Sequence, residues 1–378
     1  MTRGDRWLIG LALLLSCVGL VMVFSAGSFQ AFVRYGDSNY FLRQQLIRTG
    51  LGLIVLFACT RMNLRWLEKS APILLAGACV LMLLVVVMGH MSNGATRWLR
   101  VGFMSLQPTD LGRLAMVIFM AYWLKRNPIA ERGFVRGMLI PLGFLAIGAV
   151  LILKQPNLSS AGLLLLTGFG MLFLAGAPWR YLLAPVGVGA ATLMIALATH
   201  PYMMKRVNTY VGFVFGGQLD HRGAGWQLDQ SLIAIGSGGV IGRGLGGGMQ
   251  KLLYLPEAHT DFIFSILAEE LGLLGVTVLF AVIGLFLWRG LRASARNTDP
   301  FASLLAGGLT IQIGLYALAN LAVATGLAPT TGLPLPFVSY GGSALLVNLA
   351  AAGLLYRVSA MNGDEDALVR QRWSRETR

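Results

Sequence analysis

The sequence predicts an all-α polytopic membrane protein: about ten transmembrane helices, both termini cytoplasmic, and one large extracytoplasmic loop. Three observations carry this. Of 378 residues, 56% are hydrophobic and only 12% charged, about half the charged share of a soluble domain. That leaves too few charges to cover a water-facing surface. The apolar residues fall in runs long enough for a hydrocarbon core of about 30 Å. The net charge of +14 is spread unevenly over alternate connections, as the positive-inside rule requires.

Ten runs appear in order: 7–27, 45–60, 70–90, 109–124, 137–153, 158–177, 181–199, 261–288, 301–328 and 342–356. The first is long and ends in no clear small-x-small cleavage site, so it reads as a span rather than a cleaved leader. The second and fourth are short and carry Arg48, Asp110 and Arg113. With the N-terminus inside, eighteen of the 30 Lys and Arg lie in cytoplasmic segments. They include Arg61, Arg65 and Lys69 after the second run, Lys125 and Arg126 after the fourth, and Arg289 and Arg292 after the eighth. The chain reads as one transmembrane domain, 1–378. Residues 200–260 form its large outer loop, and 357–378 a cytoplasmic tail, polar and frayed from Asn362. Cys17, Cys59 and Cys79 sit in apolar runs as small core residues and imply no disulfide framework.

The 200–260 loop is the longest connection, and long ordered loops are usually functional. Its centre, Gly236 to Gly248, reads GSGGVIGRGLGGG. Gly242, Gly244 and Gly247 match G-x-G-x-x-G, but no βαβ unit surrounds them, so a dinucleotide site is excluded. Two readings remain: a flexible loop, or glycines that let backbone amides approach a phosphate, with Arg243 and Lys251 bracketing the run. Carboxylates inside spans cost about 2.5–3.5 kcal/mol on insertion scales, so each needs a partner or a function. Asp110 and Arg113, at i and i+3, can pair with each other. Glu269 and Glu270 must place at least one carboxylate toward the bundle interior, and Arg113 or Arg48 could pair with it. Asp261 differs, because it stands where the loop meets the eighth run. There a carboxylate faces water on one side and apolar protein on the other, which suits a general base; it could equally begin the helix as a cap. The connection Ala328–Ser343 holds three prolines and three glycines, so it cannot be helical throughout. Ser339, Tyr340 and Ser343 offer hydroxyls there.

Four blocks carry a resemblance: Gly94 to Val117, Trp226 to Gly246, Lys251 to Phe264 (KLLYLPEAHTDFIF), and Pro329 to Ser343 (PTTGLPLPFVSYGGS). In this order they resemble the SEDS family (shape, elongation, division and sporulation), with the division branch favoured over the elongation branch. The resemblance implies a peptidoglycan glycosyltransferase that polymerises lipid II at the outer face of the bacterial cytoplasmic (inner) membrane, at the division septum. It implies Asp261 as the catalytic base. Around the substrate or its diphosphate it implies Arg97, Arg243, Lys251, Glu257, His259, Thr260, Ser339, Tyr340 and Ser343. Asp110, Arg113, Glu269 and Glu270 would be intramembrane polar groups. Partners would be lipid II, polyprenyl-diphosphate-linked glycan, a class B penicillin-binding transpeptidase and other divisome or elongasome membrane proteins, with no nucleic acid. No cofactor or metal site is required; a divalent cation at Asp261 is compatible with the sequence, though no multi-carboxylate cluster demands one. The family commonly carries Asp where Asn157 stands, so a carboxylate role does not transfer to that position. A lipid II flippase, argued from Asp110, Glu269, Glu270 and a broken helix before the last span, and a pure scaffold are the competing readings.

Overall fold

The computed structural model describes residues 4–88, 90–92, 95–101, 104–178 and 224–376, with 181, 187, 189, 194, 204 and 208–212 between them. Helix α1 (Arg6–Tyr35) begins at Asp5, whose carboxylate accepts the Trp7 amide at 3.1 Å, an ordinary N-cap. It stops at Gly36, where φ of 71° returns the amide to Phe32 O. Then follow α2 (Tyr40–Thr60), α3 (Leu64–Met88) and α4 (Pro108–Arg126), the last opened by a proline whose missing N–H is not needed there. Next come α5 (Ile129–Phe134), a π turn (Val135–Leu139), α6 (Ile140–Leu153) and α7 (Leu158–Leu174). Beyond residue 223 lie α8 (Ala224–Gly238), α9 (Ile263–Ala295), α10 (Pro300–Ala324) and α11 (Ser343–Glu376).

Among the described residues, seven helical stretches are long and apolar enough to cross a membrane: α1, α2, α3, Val135–Leu153, α9, α10 and the first part of α11. Helix α4, with four charges, and the shorter apolar α7 also coincide with expected runs. The expected seventh run, 181–199, and residues 200–223 fall almost wholly outside the described residues. Two expectations change. The link between α3 and α4, expected as a simple loop, folds as a small antiparallel sheet, β1 (His90–Ser92), β2 (Ala95–Val101) and β3 (Met104–Leu106), in the order β1-β2-β3, attached to an otherwise helical bundle. The segment expected to fray after Asn362 continues α11 to Glu376; Ala, Leu, Arg and Glu there are good helix formers.

Helix α10 is the axis of the bundle, with 78% of its apolar window buried; α4, α7, α9 and α11 pack around it. The outer helices turn Ile54, Ile73, Val87, Phe173 and Val278 outward. An apolar exterior over an apolar core is stable in lipid, not in water. Polar ties gather the segments assigned to the cytoplasm. Arg289 bonds Asp5 at 3.1 Å, the Asp5 amide bonds Ser359 at 2.8 Å, and Lys125 pairs with both Glu68 and Asp299 at 2.9 Å. The N-terminal segment before α1, the starts of α3 and α10, the ends of α4 and α9 and the last helix thus share one face, as the charge pattern requires.

The glycine run takes neither expected form. Helix α9 is interrupted at Gly272, where φ is 63° and ψ −165°. A regular helix would pair N–H 273 with C=O 269, and N–H 274 with C=O 270. Instead Leu273 and Leu274 donate to Gly239 O and Val240 O, while Arg243 and Gly244 donate to Glu269 O and Glu270 O, all at 3.0–3.1 Å. The loop after α8 inserts into the break and satisfies all four backbone groups. A Cβ on Gly242 would stand 2.2 Å from Glu270 O, and one on Gly272 2.3 Å from Gly242 N. At Gly242 and Gly272 glycine is needed for contact between two backbones.

Candidate active site

The segment between the glycine run and α9 is a tight, strained loop. Leu253 and Glu257 adopt φ of 69° and 54°, unfavourable for side chains with a Cβ. The Glu257 carbonyl is its hub, accepting the amides of Thr260, Asp261 and Phe262 at 3.1–3.3 Å. The Thr260 hydroxyl donates to the same carbonyl and to the Glu257 carboxylate at 3.0 Å. This turn presents Asp261, which is partly exposed; the nine residues after it, Phe262 to Glu270, are all buried. Asp261 is the last group on the chain within reach of water before α9 enters the bundle. It does not cap that helix, whose N-cap is Phe262 with no side-chain bond.

The proline- and glycine-rich connection after α10 closes over this turn. Asn320 donates from one amide to Asp261 O at 2.8 Å and Leu333 O at 2.7 Å. Gly332, at φ of 73°, lies so close that a Cβ there would be 3.4 Å from Asp261 Oδ2. The Tyr340 amide donates to His259 O at 3.0 Å, and the Ser339 hydroxyl accepts the Leu335 amide at 2.8 Å. His259 is buried and stacks on Phe41 at 4.2 Å. Burial, and then the charge of Arg34, push its pKa down to about 4, so it is a neutral packing ring at neutral pH.

The other candidates separate into two clusters. In the first, Arg113 Nη2 bonds Asp110 Oδ1 at 2.5 Å, and Ser343 donates to Asp110 Oδ2 at 2.6 Å. Ser343 also accepts the Gln107 amide at 3.1 Å, and the Arg113 guanidinium lies 3.7 Å over the Tyr316 ring. Both Asp110 oxygens are engaged, so Ser343 serves this ion pair rather than an open site. In the second cluster, Glu270 binds Lys251 Nζ at 2.6 Å and Ser25 Oγ at 2.7 Å. Glu269 accepts the Met249 and Gln250 amides at 2.8 and 3.2 Å, with Arg243 at 3.8 Å. Glu269 and Glu270 therefore pair with the glycine-rich loop, not with Arg113 or Arg48. Lys251 is buried and neutralised, which removes it as a diphosphate ligand. Arg243 stays 42% exposed on its side chain. Arg97 lies in β2, but its side chain falls outside what the structure describes.

Sequence reasoning missed Ser25, Asn320 and Gln45. Asn320, one of two amide side chains with Gln312 in an apolar run, could have been flagged by its cost in a span; Ser25 gave no signal. Asn157 caps α7, accepting the Ser160 amide at 3.2 Å, work that needs no charge. Among the described residues, no three His, Cys, Asp or Glu side chains converge as a metal site.

The chain is similar to known proteins. The profile of the Cell cycle protein family (FtsW, RodA, SpoVE) matches residues 5–363. A probable peptidoglycan glycosyltransferase FtsW of Geobacter metallireducens is 40% identical over 94% of this chain and 95% of its own length. Stage V sporulation protein E of Bacillus subtilis is 36% identical over 95% and 97%. Among solved structures, a chain of a peptidoglycan synthase complex that coordinates polymerization and crosslinking superposes with a TM-score of 0.78, at 30% identity and 95% and 98% coverage. The rod shape determining protein RodA of Thermus thermophilus gives 0.70, at 30% identity and 94% and 96% coverage.

Proposed function

We infer that this chain, which belongs to the FtsW/RodA/SpoVE (SEDS) family, is a multi-pass peptidoglycan glycosyltransferase that polymerises lipid II at the outer face of the bacterial cytoplasmic membrane. The FtsW relatives support a role in septal wall synthesis. The observation that carries the mechanism is Asp261, partly exposed on a strained turn beside Gly332, directly before nine buried residues.

The 4-hydroxyl oxygen of an incoming lipid II attacks the anomeric carbon of the growing strand, and Asp261 takes the hydroxyl proton. The bond from that carbon to the polyprenyl diphosphate breaks with inversion, and its electron pair leaves on the diphosphate. Cations stabilise this charge more as the bond breaks than before it. Arg243, with its side chain 42% exposed, is available for that role; Lys251, paired with Glu270, is not. The Asn320 bridge and the Glu257 hub hold the base in place, and fixed geometry contributes to the rate. The synthase complex that resembles this chain supports a class B penicillin-binding transpeptidase as partner, which would crosslink the strands.

The test is to supply purified protein and its transpeptidase partner with lipid II. Long glycan strands are expected, and the Asp261→Ala chain should make none. Flipping of labelled lipid II across vesicles without polymer would overturn this reading. The flippase reading leaned on intramembrane carboxylates and a broken helix. Asp110, Glu269 and Glu270 all hold fixed partners, and the connection before the last span is tied down through Leu333 O to Asn320 and through the Tyr340 amide to His259.

A further inference from the structure

Three Lys or Arg side chains are buried among the described residues: Arg48, Arg113 and Lys251. Arg113 and Lys251 each have a carboxylate at 2.5–2.6 Å. Arg48 is equally buried, 7% exposed, yet no ion pair forms with it among the described residues. Its Nε and Nη1 have no hydrogen-bond partner. The guanidinium rests 4.4 Å over the Tyr340 ring and also bonds its hydroxyl, and neither contact with this neutral group replaces a counter-ion.

Its surroundings point to a ligand. Phe41, Gln45 and Arg48 share one face of α2, at i, i+4 and i+7, and all are buried. Gln45 Oε1 and His259 Nδ1 lack partners too, so unsatisfied donors and an acceptor gather under the turn that carries His259 and Asp261. Arg48 is eight residues below Tyr40, roughly 12 Å along the axis. Side chains on a helix lean toward its N-terminus, which here is the outer face. The fork of a guanidinium matches the oxygens of a phosphate. A free anion would not settle at that depth, whereas one carried on a lipid chain would.

We propose that Arg48 is a substrate-binding residue that receives the phosphate of a lipid-linked diphosphate beneath the Asp261 turn. This rests on the polymerase reading above and supplies the inner cation that Lys251 cannot. A phospholipid headgroup has the same chemistry and is the alternative source.

The full chain would be reconstituted in nanodiscs of phosphatidylcholine and titrated with polyprenyl diphosphate and with uncharged polyprenol. Wild type should bind the diphosphate 10- to 100-fold more tightly than Arg48→Met, with Arg48→Lys between them, and all three should bind polyprenol alike. Without ligand, Arg48→Met should melt no lower than wild type, because an unpaired buried charge has gone; a lower melting temperature would make Arg48 a structural prop for Tyr340 and overturn the proposal. Equal diphosphate affinity in wild type and Arg48→Met would also overturn it. So would an Arg48-dependent response to phosphatidylglycerol with none to the diphosphate. These readouts need no turnover, so an absence of polymer in the activity assay would count against the polymerase reading alone.

Discussion

Asp110 and Asp261 are carboxylates at the two limits of environment in this protein. Asp110 is buried in α4, both oxygens spoken for by Arg113 and Ser343. Asp261 is partly exposed on a strained turn, held by its backbone: its amide bonds Glu257 O and its carbonyl bonds Asn320. Asp261 is positioned through its main chain at the water-facing end of α9, whereas Asp110 is positioned through its carboxylate inside the bundle. The contrast teaches where to look for chemistry in a membrane bundle: at a carboxylate held at the water-facing end of a span rather than inside it.

The sharpest way to break the contrast is Asp110→Asn. It leaves Arg113 buried against an uncharged partner, a change worth about 3–5 kcal/mol, and the expected outcome is loss of folded protein in detergent, read by size-exclusion and melting. Survival of a stable, active variant would dissolve the distinction between the two sites. The next effect is pH dependence around the Asp261 turn. His259 has a folded pKa of about 4, below its usual 6.5. The folded state favours the neutral ring, so this contribution is complete above pH 6.5 and is lost as pH falls toward 4, on the order of 3 kcal/mol. Melting curves should fall across that window, and His259→Gln should flatten the fall. Gly242→Ala forces a Cβ at φ of 78° within 2.2 Å of Glu270 O. Roughly 2 kcal/mol from the left-handed backbone alone is expected, with the 240–260 loop loosened in hydrogen exchange. The smallest effect is Asn157→Ala, which removes a cap worth about 1 kcal/mol. Melting should register it while the rate of polymerisation per folded molecule stays unchanged.

Much of this was legible in the residues. Nine of the apolar runs are helices because their length and charge asymmetry admit little else in lipid. Asp261 stood out because it stands where the polar outer loop meets an apolar span, and Asp110 and Arg113 because i, i+3 spacing lets them meet. The pairing of Lys251 with Glu270 was hidden, since it depends on a loop folding back onto α9 rather than on spacing. Gly272 sits inside a run that reads as one unbroken helix, so neither the break nor the glycines that fill it could be seen. The sheet at 90–106 was lost in what looked like a simple link. Arg48 was visible as a charge in a span, but only packing shows that nothing described neutralises it.

The most direct measurement of the central claim is the lipid II polymerisation rate of Asp261→Asn, beside wild type, each with the transpeptidase partner. Asparagine keeps shape and backbone contacts but cannot take the proton. A rate at least about 100-fold lower, with an unchanged melting temperature, is predicted. Polymerisation at the wild-type rate would contradict the assignment of Asp261 as the base.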